Sequence, residues 1–197
     1  LNAPSAARNA APIVELVRKT AIKSGKALEI ASGTGQHIVQ LASALPHLSW
    51  QPSDVDAARI KSIRCWSDDQ YLANLKPPYL LDATAEGWAA EHHGQDLILL
   101  VNLLHLISTK ETKFLVKEMS KALASNGLSI IYGPFMRSGK LMSENDVEFH
   151  NSLKSTDPDL GYKNDVDMLN LFGEAGLIHL STENMPANNL AFILQKP

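Results

Sequence analysis

The chain has 197 residues, of which 45% are hydrophobic and 20% charged, as in an ordinary soluble globular domain. A net charge of −3 offers no basic surface to nucleic-acid phosphates, and a single cysteine, Cys65, excludes an internal disulfide. The apolar run at residues 97–101 is much shorter than the roughly 18 residues that a membrane helix needs. We therefore expect one cytoplasmic domain over residues 1–197, with no membrane association and no nucleic-acid partner.

Strand-like and helix-like segments alternate along the chain. Hydrophobic periodicity and Gly or Pro stops predict helices at residues 11–25, 36–46, 54–69, 85–94, 109–127, 144–155 and 164–176. Short apolar runs predict strands at residues 27–32, 48–53, 79–84, 96–105 and 128–135, with a closing pair of strands within 177–196. Five successive βα units predict a mostly parallel sheet with helices on both faces, and the closing hairpin adds an antiparallel strand.

The first predicted strand ends in the loop Ser32-Gly33-Thr34-Gly35. Glycines allow a sharp turn and leave room for a ligand close to the backbone. The helix that follows offers free N–H groups to an anionic group. The loop lacks the lysine of a nucleoside-triphosphate site and the third glycine of the full dinucleotide pattern. By itself, the loop also fits a plain strand-to-helix turn.

Polar side chains follow three further strands, at the sheet edge where ligands bind in folds of this kind. Asp54 follows the second strand and is placed to hold a ribose diol, although Asp54 or Asp56 also fits a helix N-cap. Asp82 follows the third strand and is placed to accept a hydrogen bond from a purine amine, or to cap the next helix. Asn102 follows the fourth strand, where it fits either a ligand contact or a backbone-bonding asparagine.

Together, these four strand ends resemble the layout of class I S-adenosylmethionine-dependent methyltransferases. The resemblance implies a Rossmann-like three-layer α/β sandwich with a mostly parallel seven-stranded sheet and an antiparallel C-terminal hairpin strand. It implies S-adenosylmethionine as the cofactor, with its methionine part over the glycine loop and its ribose held by the acid after the second strand. The cofactor-binding residues that it implies are Glu29, Ala31, Ser32, Gly33, Gly35, Asp54, Asp82 and Asn102.

Several longer segments resemble one small group of methyltransferase-like proteins, found in bacteria and animals and classed as of unknown function. They are RNAAPI, LEIASGTGQH, LPHLSWQPSDVDAARIKSI, VNLLHLIS, YGPFMRSGK, DPDLGYKNDVD and MPANNLAFIL, and the resemblance covers about residues 8–196. Ala31 departs from the wider superfamily, in which a first glycine often stands at this position. The fourth strand lacks an Asp/Asn-Pro-Pro-Tyr motif, so methylation of nucleic-acid bases is not indicated.

Methyl transfer from a sulfonium mainly needs in-line placement of the acceptor, and a general base helps when the acceptor is a hydroxyl or an ammonium. His105, just past the fourth strand, and Tyr132, at the end of the fifth, are the candidate catalytic residues. His37 is a third candidate, and each of the three also fits a purely structural role. One hypothesis from the resemblance places Arg8 and Asn9 over the cofactor pocket.

The expected acceptor is a small molecule, because an almost unembellished domain leaves little surface for a macromolecule. The insert over about residues 138–164 is expected to form the lid of the acceptor pocket. No metal is expected, because no Cys, His or Asp cluster has ligand spacing. Two alternatives stay open: a non-catalytic protein that binds S-adenosylmethionine or S-adenosylhomocysteine, and a nucleotide-dependent oxidoreductase, which the incomplete glycine pattern disfavours.

Overall fold

The computed structural model describes residues 1–20 and 22–197, which form six α-helices and eight strands. The helices are α1 (Pro4–Lys19), α2 (Gln36–Ala44), α3 (Ala57–Asp68), α4 (Thr109–Ala122), α5 (Glu144–Thr156) and α6 (Asp165–Glu174). The strands are β1 (Gly25–Ile30), β2 (Leu48–Asp54), β3 (Tyr79–Leu80), β4 (Gln95–Val101), β5 (Leu123–Met136), β6 (Lys163–Asn164), β7 (Ile178–Asn184) and β8 (Asn189–Gln195).

The strands form one sheet in the order β3-β2-β1-β4-β5-β8-β7, and the two-residue β6 pairs with β5 beside this path. The strands β1 to β5 run parallel to their neighbours, whereas β8 is antiparallel to both β5 and β7. The seven-stranded path with one antiparallel hairpin strand is therefore confirmed. The chain order reverses between β1 and β4, which places the ligand crevice of such a sheet at the carboxyl ends of these two strands.

Side chains of the central strands alternate between two buried faces. On β4, Ile98 and Leu100 pack on the face that α4 and α6 cover. Leu97, Leu99 and Val101 pack on the opposite face, against α1, α2 and α3. A strand buried on both faces has a continuous apolar sequence, which is why its position was predictable. Polar residues emerge only where such a strand ends.

Three predicted elements of the first half of the chain change their bounds. Helix α1 begins at Pro4 rather than at residue 11, with Pro12 inside it. Strand β3 covers only Tyr79–Leu80, and the helix predicted over residues 85–94 is a single 3₁₀ turn at Trp88–Ala90. Strand β3 is an edge strand that pairs with β2 alone.

The predicted C-terminal stop of α4 at residues 126–127 is wrong. The helix ends at Ala122, because Leu123 is already extended and pairs with Gln95 of β4. Asn126 has a φ of 64°, and a Cβ on Gly127 would lie 2.7 Å from the Gln95 carbonyl oxygen. The Asn-Gly pair therefore marks a bulge in β5, where the backbones approach closely, and not a helix end.

The predicted insert between β5 and α6 carries helix α5, followed by the short β6. Helix α5 is capped by Ser143, whose hydroxyl accepts a hydrogen bond from the Asp146 N–H. It lies beside the carboxyl ends of β4 and β5, as its shared cavity with Asn102 and Tyr132 shows. Within residues 1–20 and 22–197, the longest apolar helices fall short of what crossing a bilayer requires.

Candidate functional site

The loop between β1 and α2 turns through three residues with positive φ: Ala31 (54°), Gly33 (60°) and Gly35 (92°). A Cβ on Gly33 would meet only the Ala31 carbonyl oxygen, at 4.0 Å, so the space beside this residue is open. A Cβ on Gly35 would lie 2.8 Å from the Ile63 Cα, so this glycine lets α2 approach α3. The two glycines therefore differ in their surroundings: Gly33 borders open space, whereas Gly35 is needed for helix packing.

Ala31 stands where a glycine is common in the wider superfamily, and its left-handed backbone explains that preference. An L-residue in this conformation costs roughly 1–2 kcal/mol relative to the right-handed form. Alanine has the smallest side chain that can take this conformation, so the loop retains its path with a modest strain.

Asp54 ties the glycine loop to the end of β2. Its Oδ2 accepts a hydrogen bond from the Gly33 N–H at 2.9 Å, and its Oδ1 accepts one from the Asp56 N–H at 3.0 Å. Arg59 lies 3.8 Å from the same carboxylate. The side chain is buried, but a carboxylate has about four acceptor positions, so it retains capacity for a hydroxyl donor. Asp56, not Asp54, is the N-cap of α3.

Ser32 joins β1 to β2 and is buried. Its hydroxyl donates to the Glu29 carbonyl oxygen at 3.3 Å and accepts from the Ser53 N–H at 3.2 Å. The Ser32 N–H donates to the Ser53 carbonyl oxygen at 2.8 Å. The Ser32 side chain is therefore committed to holding the loop, and a ligand contact would come from its backbone.

Glu29 is a buried carboxylate beneath the glycine loop. In the described part of the chain, neither of its carboxylate oxygens has a hydrogen-bond partner. Burial raises the pKa of Glu29 to about 8, an effect that Ser32 partly offsets and the charge of Asp54 increases. A buried acid with so little support for its charge is complementary to a cationic group, because a new positive charge would stabilise its ionised form further.

Asp82 is exposed in the turn after β3. Its Oδ1 accepts hydrogen bonds from the Thr84 N–H at 2.9 Å and the Thr84 hydroxyl at 2.6 Å. This is a local turn and not the predicted helix cap, because the 3₁₀ turn that follows begins at Trp88 with Gly87 as its N-cap. The Leu81 N–H donates to the Asp54 carbonyl oxygen at 2.9 Å, so the turn that carries Asp82 follows directly beside the end of β2.

A cavity of about 980 Å³ opens at the carboxyl ends of β4 and β5. Asn102, His105 and Tyr132 line it together, so the structure brings three of the predicted site residues to one place. Asn102 has a φ of 56° and donates its backbone N–H to the Tyr132 carbonyl oxygen at 2.9 Å. Arg8 and Asn9 line the same cavity.

His105 lies in a 3₁₀ turn directly after β4 and is buried. Burial, with the nearby positive charge of Lys163, lowers the pKa of His105 to about 4. The imidazole is therefore neutral at physiological pH. Its ring lies edge-on to Phe149 and Tyr162, at centroid distances of 5.6 Å and 6.2 Å. A neutral imidazole on a cavity wall can accept a proton from a bound ligand.

Tyr132 is linked to the start of α2 through α1. Asn9 and Asn189 form side-chain hydrogen bonds with Tyr132, and these oppose the rise in its pKa that burial causes. The Asn9 Oδ1 also lies 2.7 Å from the His37 Nε2. Burial lowers the pKa of His37 to about 4, so this histidine is neutral and structural in its contacts. The chain of contacts connects the cavity to the helix that follows the glycine loop.

Helix α5 closes one side of the cavity through Asp146. This buried carboxylate accepts hydrogen bonds from Ser143 (2.8 Å), Tyr162 (3.2 Å) and Asn188 (3.0 Å). Asn188 lies in the β7–β8 turn and Asn189 begins β8, and both line the cavity, which the sequence did not predict. These wall residues lie in or beside the motifs YGPFMRSGK, DPDLGYKNDVD and MPANNLAFIL. Those motifs were the sequence feature that could have pointed to the cavity wall.

The part of the chain that the structure describes holds no group of three His, Cys, Asp or Glu side chains arranged to bind a metal ion.

The fold matches solved methyltransferase structures. The similarity to an O-methyltransferase family protein from Burkholderia thailandensis has a TM-score of 0.82 at 15% identity, over 97% of this chain and 57% of that chain. Mitomycin 7-O-methyltransferase gives a TM-score of 0.81 at 11% identity, over 96% of this chain and 54% of that chain. The structure of PigF with SAH gives a TM-score of 0.77 at 20% identity, over 96% of this chain and 56% of that chain.

The chain therefore has the class I methyltransferase fold, as expected, and spans a little over half the length of these proteins. At such identities the likeness concerns the fold alone. Sequence similarity is closer to another group: the family described as a protein of unknown function (DUF938) matches residues 1–196. The chain belongs to the DUF938 family.

Proposed function

We propose that this chain is a single-domain, S-adenosylmethionine-dependent methyltransferase for a small-molecule acceptor. The observation that carries the proposal is the position of Asn102. It ends β4 at the switch in strand order, beside the glycine loop of β1, and it also lines the cavity of about 980 Å³. A cofactor over the loop and an acceptor in the cavity would therefore meet at this residue.

The residues present fit the cofactor. The open space beside Gly33 accommodates a ligand close to the backbone, and the unpartnered carboxylate of Glu29 is complementary to the ammonium of the methionine part. Asp54 retains acceptor capacity for the ribose hydroxyls, and Asp82 for the adenine amine. PigF, a protein of the same fold, has been solved with SAH. Bound S-adenosylmethionine supplies an electrophilic methyl group on a sulfonium.

The cavity fits a small acceptor. About 980 Å³ is at the upper end of the range for small-molecule sites, and aromatic and amide side chains make up much of its wall. His105 is placed to take a proton from the acceptor, and Tyr132 is placed to orient it by a hydrogen bond. Mitomycin 7-O-methyltransferase, which shares the fold, acts on a small molecule.

Calorimetric titration of the purified protein with S-adenosylmethionine, S-adenosylhomocysteine, NADH and ATP tests the proposal. We expect micromolar binding of the two sulfur compounds only. The variant Asp82→Ala should bind them at least tenfold more weakly, because a charged acceptor of a hydrogen bond contributes about 1.5–3 kcal/mol. Glu86→Ala, an exposed acid in the same segment, is the matched control and should bind normally.

Failure of both sulfur compounds to bind would contradict the proposal, and binding of NADH instead would favour the oxidoreductase alternative. Normal binding by Asp82→Ala would remove Asp82 from the site. Tight binding with no methyl transfer to any member of a broad acceptor library would favour the non-catalytic alternative.

A further inference from the structure

Arg8 lies in the second turn of α1 and lines the cavity at the ends of β4 and β5. Its neighbour Asn9 is buried, with its Oδ1 2.7 Å from the His37 Nε2 and a side-chain hydrogen bond to Tyr132. These contacts hold α1 against α2 and against the end of β5. The backbone that carries Arg8 is therefore fixed at the cavity, while the Arg8 side chain itself is exposed.

The guanidinium of Arg8 has neither an ion pair nor a hydrogen bond in the part of the chain that the structure describes. No acid stands three or four positions away along α1, where helix neighbours pair. The only acid of this helix, Glu15, pairs with Arg18 at 2.8 Å. A guanidinium presents five N–H donors in a rigid fork, so Arg8 offers unused donors for an anion at the cavity wall.

Arg8 is the only cation among the described residues that line this cavity. Burial, with the nearby charge of Lys163, lowers the pKa of His105 to about 4, so its imidazole is neutral at physiological pH. Burial raises the pKa of Tyr132 and of Tyr162, so both phenols are neutral as well. The titratable groups of the wall therefore add no second positive charge to that of Arg8.

The one acid of the cavity wall, Asp146, is occupied by other donors. Its Oδ1 accepts a hydrogen bond from the Tyr162 hydroxyl, and its Oδ2 accepts from the Ser143 hydroxyl and the Asn188 amide. No ion pair joins Asp146 to Arg8 among the described residues. The positive charge of Arg8 is therefore left without a counter-charge inside the cavity.

The cavity that Arg8 lines is the one assigned to the methyl acceptor. Among the described residues, the glycine loop at 31–35 contributes nothing to its wall, whereas Asn102 at the end of β4 does. Amides and aromatic rings, which are neutral, form much of the remaining wall. One cation among neutral groups matches a ligand with a single negative charge. A phosphate monoester carries nearly two charges at neutral pH and would leave part of its charge unpaired.

We propose, on the basis of the proposed function, that the methyl acceptor of this site carries a carboxylate group and that Arg8 binds it. An arginine fork donates two parallel hydrogen bonds to the two oxygens of a carboxylate, which fixes the direction of the ligand as well as its charge. Arg8 thereby determines which acceptors enter the cavity. The amide and aromatic walls surround the remainder of the acceptor.

The test compares matched ligands on the full chain saturated with S-adenosylhomocysteine. The pairs are benzoate with benzamide and 2-naphthoate with 2-naphthamide, and phenyl phosphate serves as the ligand of higher charge. We expect each carboxylate to bind about tenfold more tightly than its amide, because hydrogen bonds between charged groups are stronger than those to a neutral group. Ligand-observed NMR titration measures these affinities.

Arg8→Gln should abolish the preference for carboxylates, because glutamine retains N–H donors but has no charge. Arg8→Lys retains the charge without the fork and should keep part of the preference. Arg18→Gln, the same change on the same helix, is the matched control, because Arg18 pairs with Glu15 and does not line this cavity. This variant should behave as the parent does. The affinities for the amides and for S-adenosylhomocysteine should be the same in all three variants, which separates a lost charge from general damage.

Equal binding of the carboxylates and their amides would overturn the proposal, as would a preference that survives in Arg8→Gln. Tighter binding of phenyl phosphate than of benzoate would overturn the carboxylate class. Weaker binding of S-adenosylhomocysteine in Arg8→Gln would also overturn the proposal, because the guanidinium would then bind the carboxylate of the cofactor instead.

The proposal and the proposed function can fail separately. Binding of S-adenosylhomocysteine with no binding of any of these ligands would overturn the acceptor class and leave the proposed function intact. If S-adenosylhomocysteine itself does not bind to the parent protein, the proposed function fails.

Discussion

Gly33 and Gly35 lie two residues apart in one loop, yet their surroundings predict opposite consequences for substitution. Gly33→Ala places a methyl group in the open space beside the loop, so we expect weaker binding of S-adenosylhomocysteine, by about tenfold or more, with a loss of stability of about 1–2 kcal/mol from the positive φ. Gly35→Ala drives a Cβ against the Ile63 Cα at 2.8 Å and should destabilise the protein by a larger amount.

Calorimetry and denaturant unfolding measure the two effects of the glycine variants. If Gly33→Ala were to bind normally, the open space beside the loop would not be the cofactor cradle. If Gly35→Ala were as stable as the parent, the packing of α2 on α3 would be looser than the structure has it.

The burial of Glu29 makes the free energy of unfolding depend on pH. The ordinary pKa of 4.5 applies in the unfolded chain and a pKa of about 8 in the fold, so the folded state holds the extra proton between these values. Stability therefore falls as pH rises from about 4.5 to about 8, by at most about 1.4 kcal/mol for each pH unit. Glu29→Gln should remove this dependence and be more stable than the parent at about pH 8, while binding S-adenosylhomocysteine more weakly.

Urea unfolding of the parent and of Glu29→Gln at pH 5 and pH 8 isolates the contribution of this group, because other titrating residues cancel in the difference. A difference that is constant between the two pH values would mean that Glu29 is ionised in the fold. Unchanged affinity for the ligand would mean that its carboxylate does not meet the ammonium.

Helix α5 depends on one buried carboxylate, that of Asp146, for its position. Asp146→Asn removes the charge from three hydrogen bonds, of which two join α5 to the loop before β6 and to the β7–β8 turn and the third caps the helix at Ser143. Bonds to a charged group contribute about 1.5–3 kcal/mol, so local opening should become at least tenfold more frequent. Hydrogen exchange should rise over residues 144–156 and stay unchanged in β1 and β4.

Glu148→Gln, an exposed change on the same helix, is the control for this prediction and should leave exchange unaltered. Exchange that rises equally in both variants would point to helix propensity. Exchange that rises in neither would mean that α5 is held by its apolar contacts alone.

The sequence was informative where an element depends on a local pattern, and less so where it depends on strand pairing. The glycine loop, Asp54 and Asn102 were located because strand ends follow from local apolar runs, and the carboxyl ends of parallel strands share one edge. The end of α4 was mislocated because an Asn-Gly pair gives the same local signal in a β-bulge as at a helix terminus. Only the pairing of Leu123 with Gln95 decides between the two.

The cavity was less predictable than the sheet, for a related reason. Its walls come from α1, the insert and the β7–β8 turn, which lie far apart along the chain. Asn9, Phe149 and Asn188 have no local pattern that brings them together, because they meet only where the fold places α1, α5 and the β7–β8 turn around one cavity.

The position of β8 in the sheet has a consequence for the order in which the protein folds during synthesis. This strand is the last of the eight in chain order, yet it lies inside the sheet between β5 and β7. Its first residue, Asn189, and Asn188 in the turn before it both line the cavity. A ribosome releases residues 189–195 after every other strand and helix of the fold. A nascent chain can therefore form the edge of β1, β2 and β4 first, but the cavity at the ends of β4 and β5 is incomplete before the final strand is inserted.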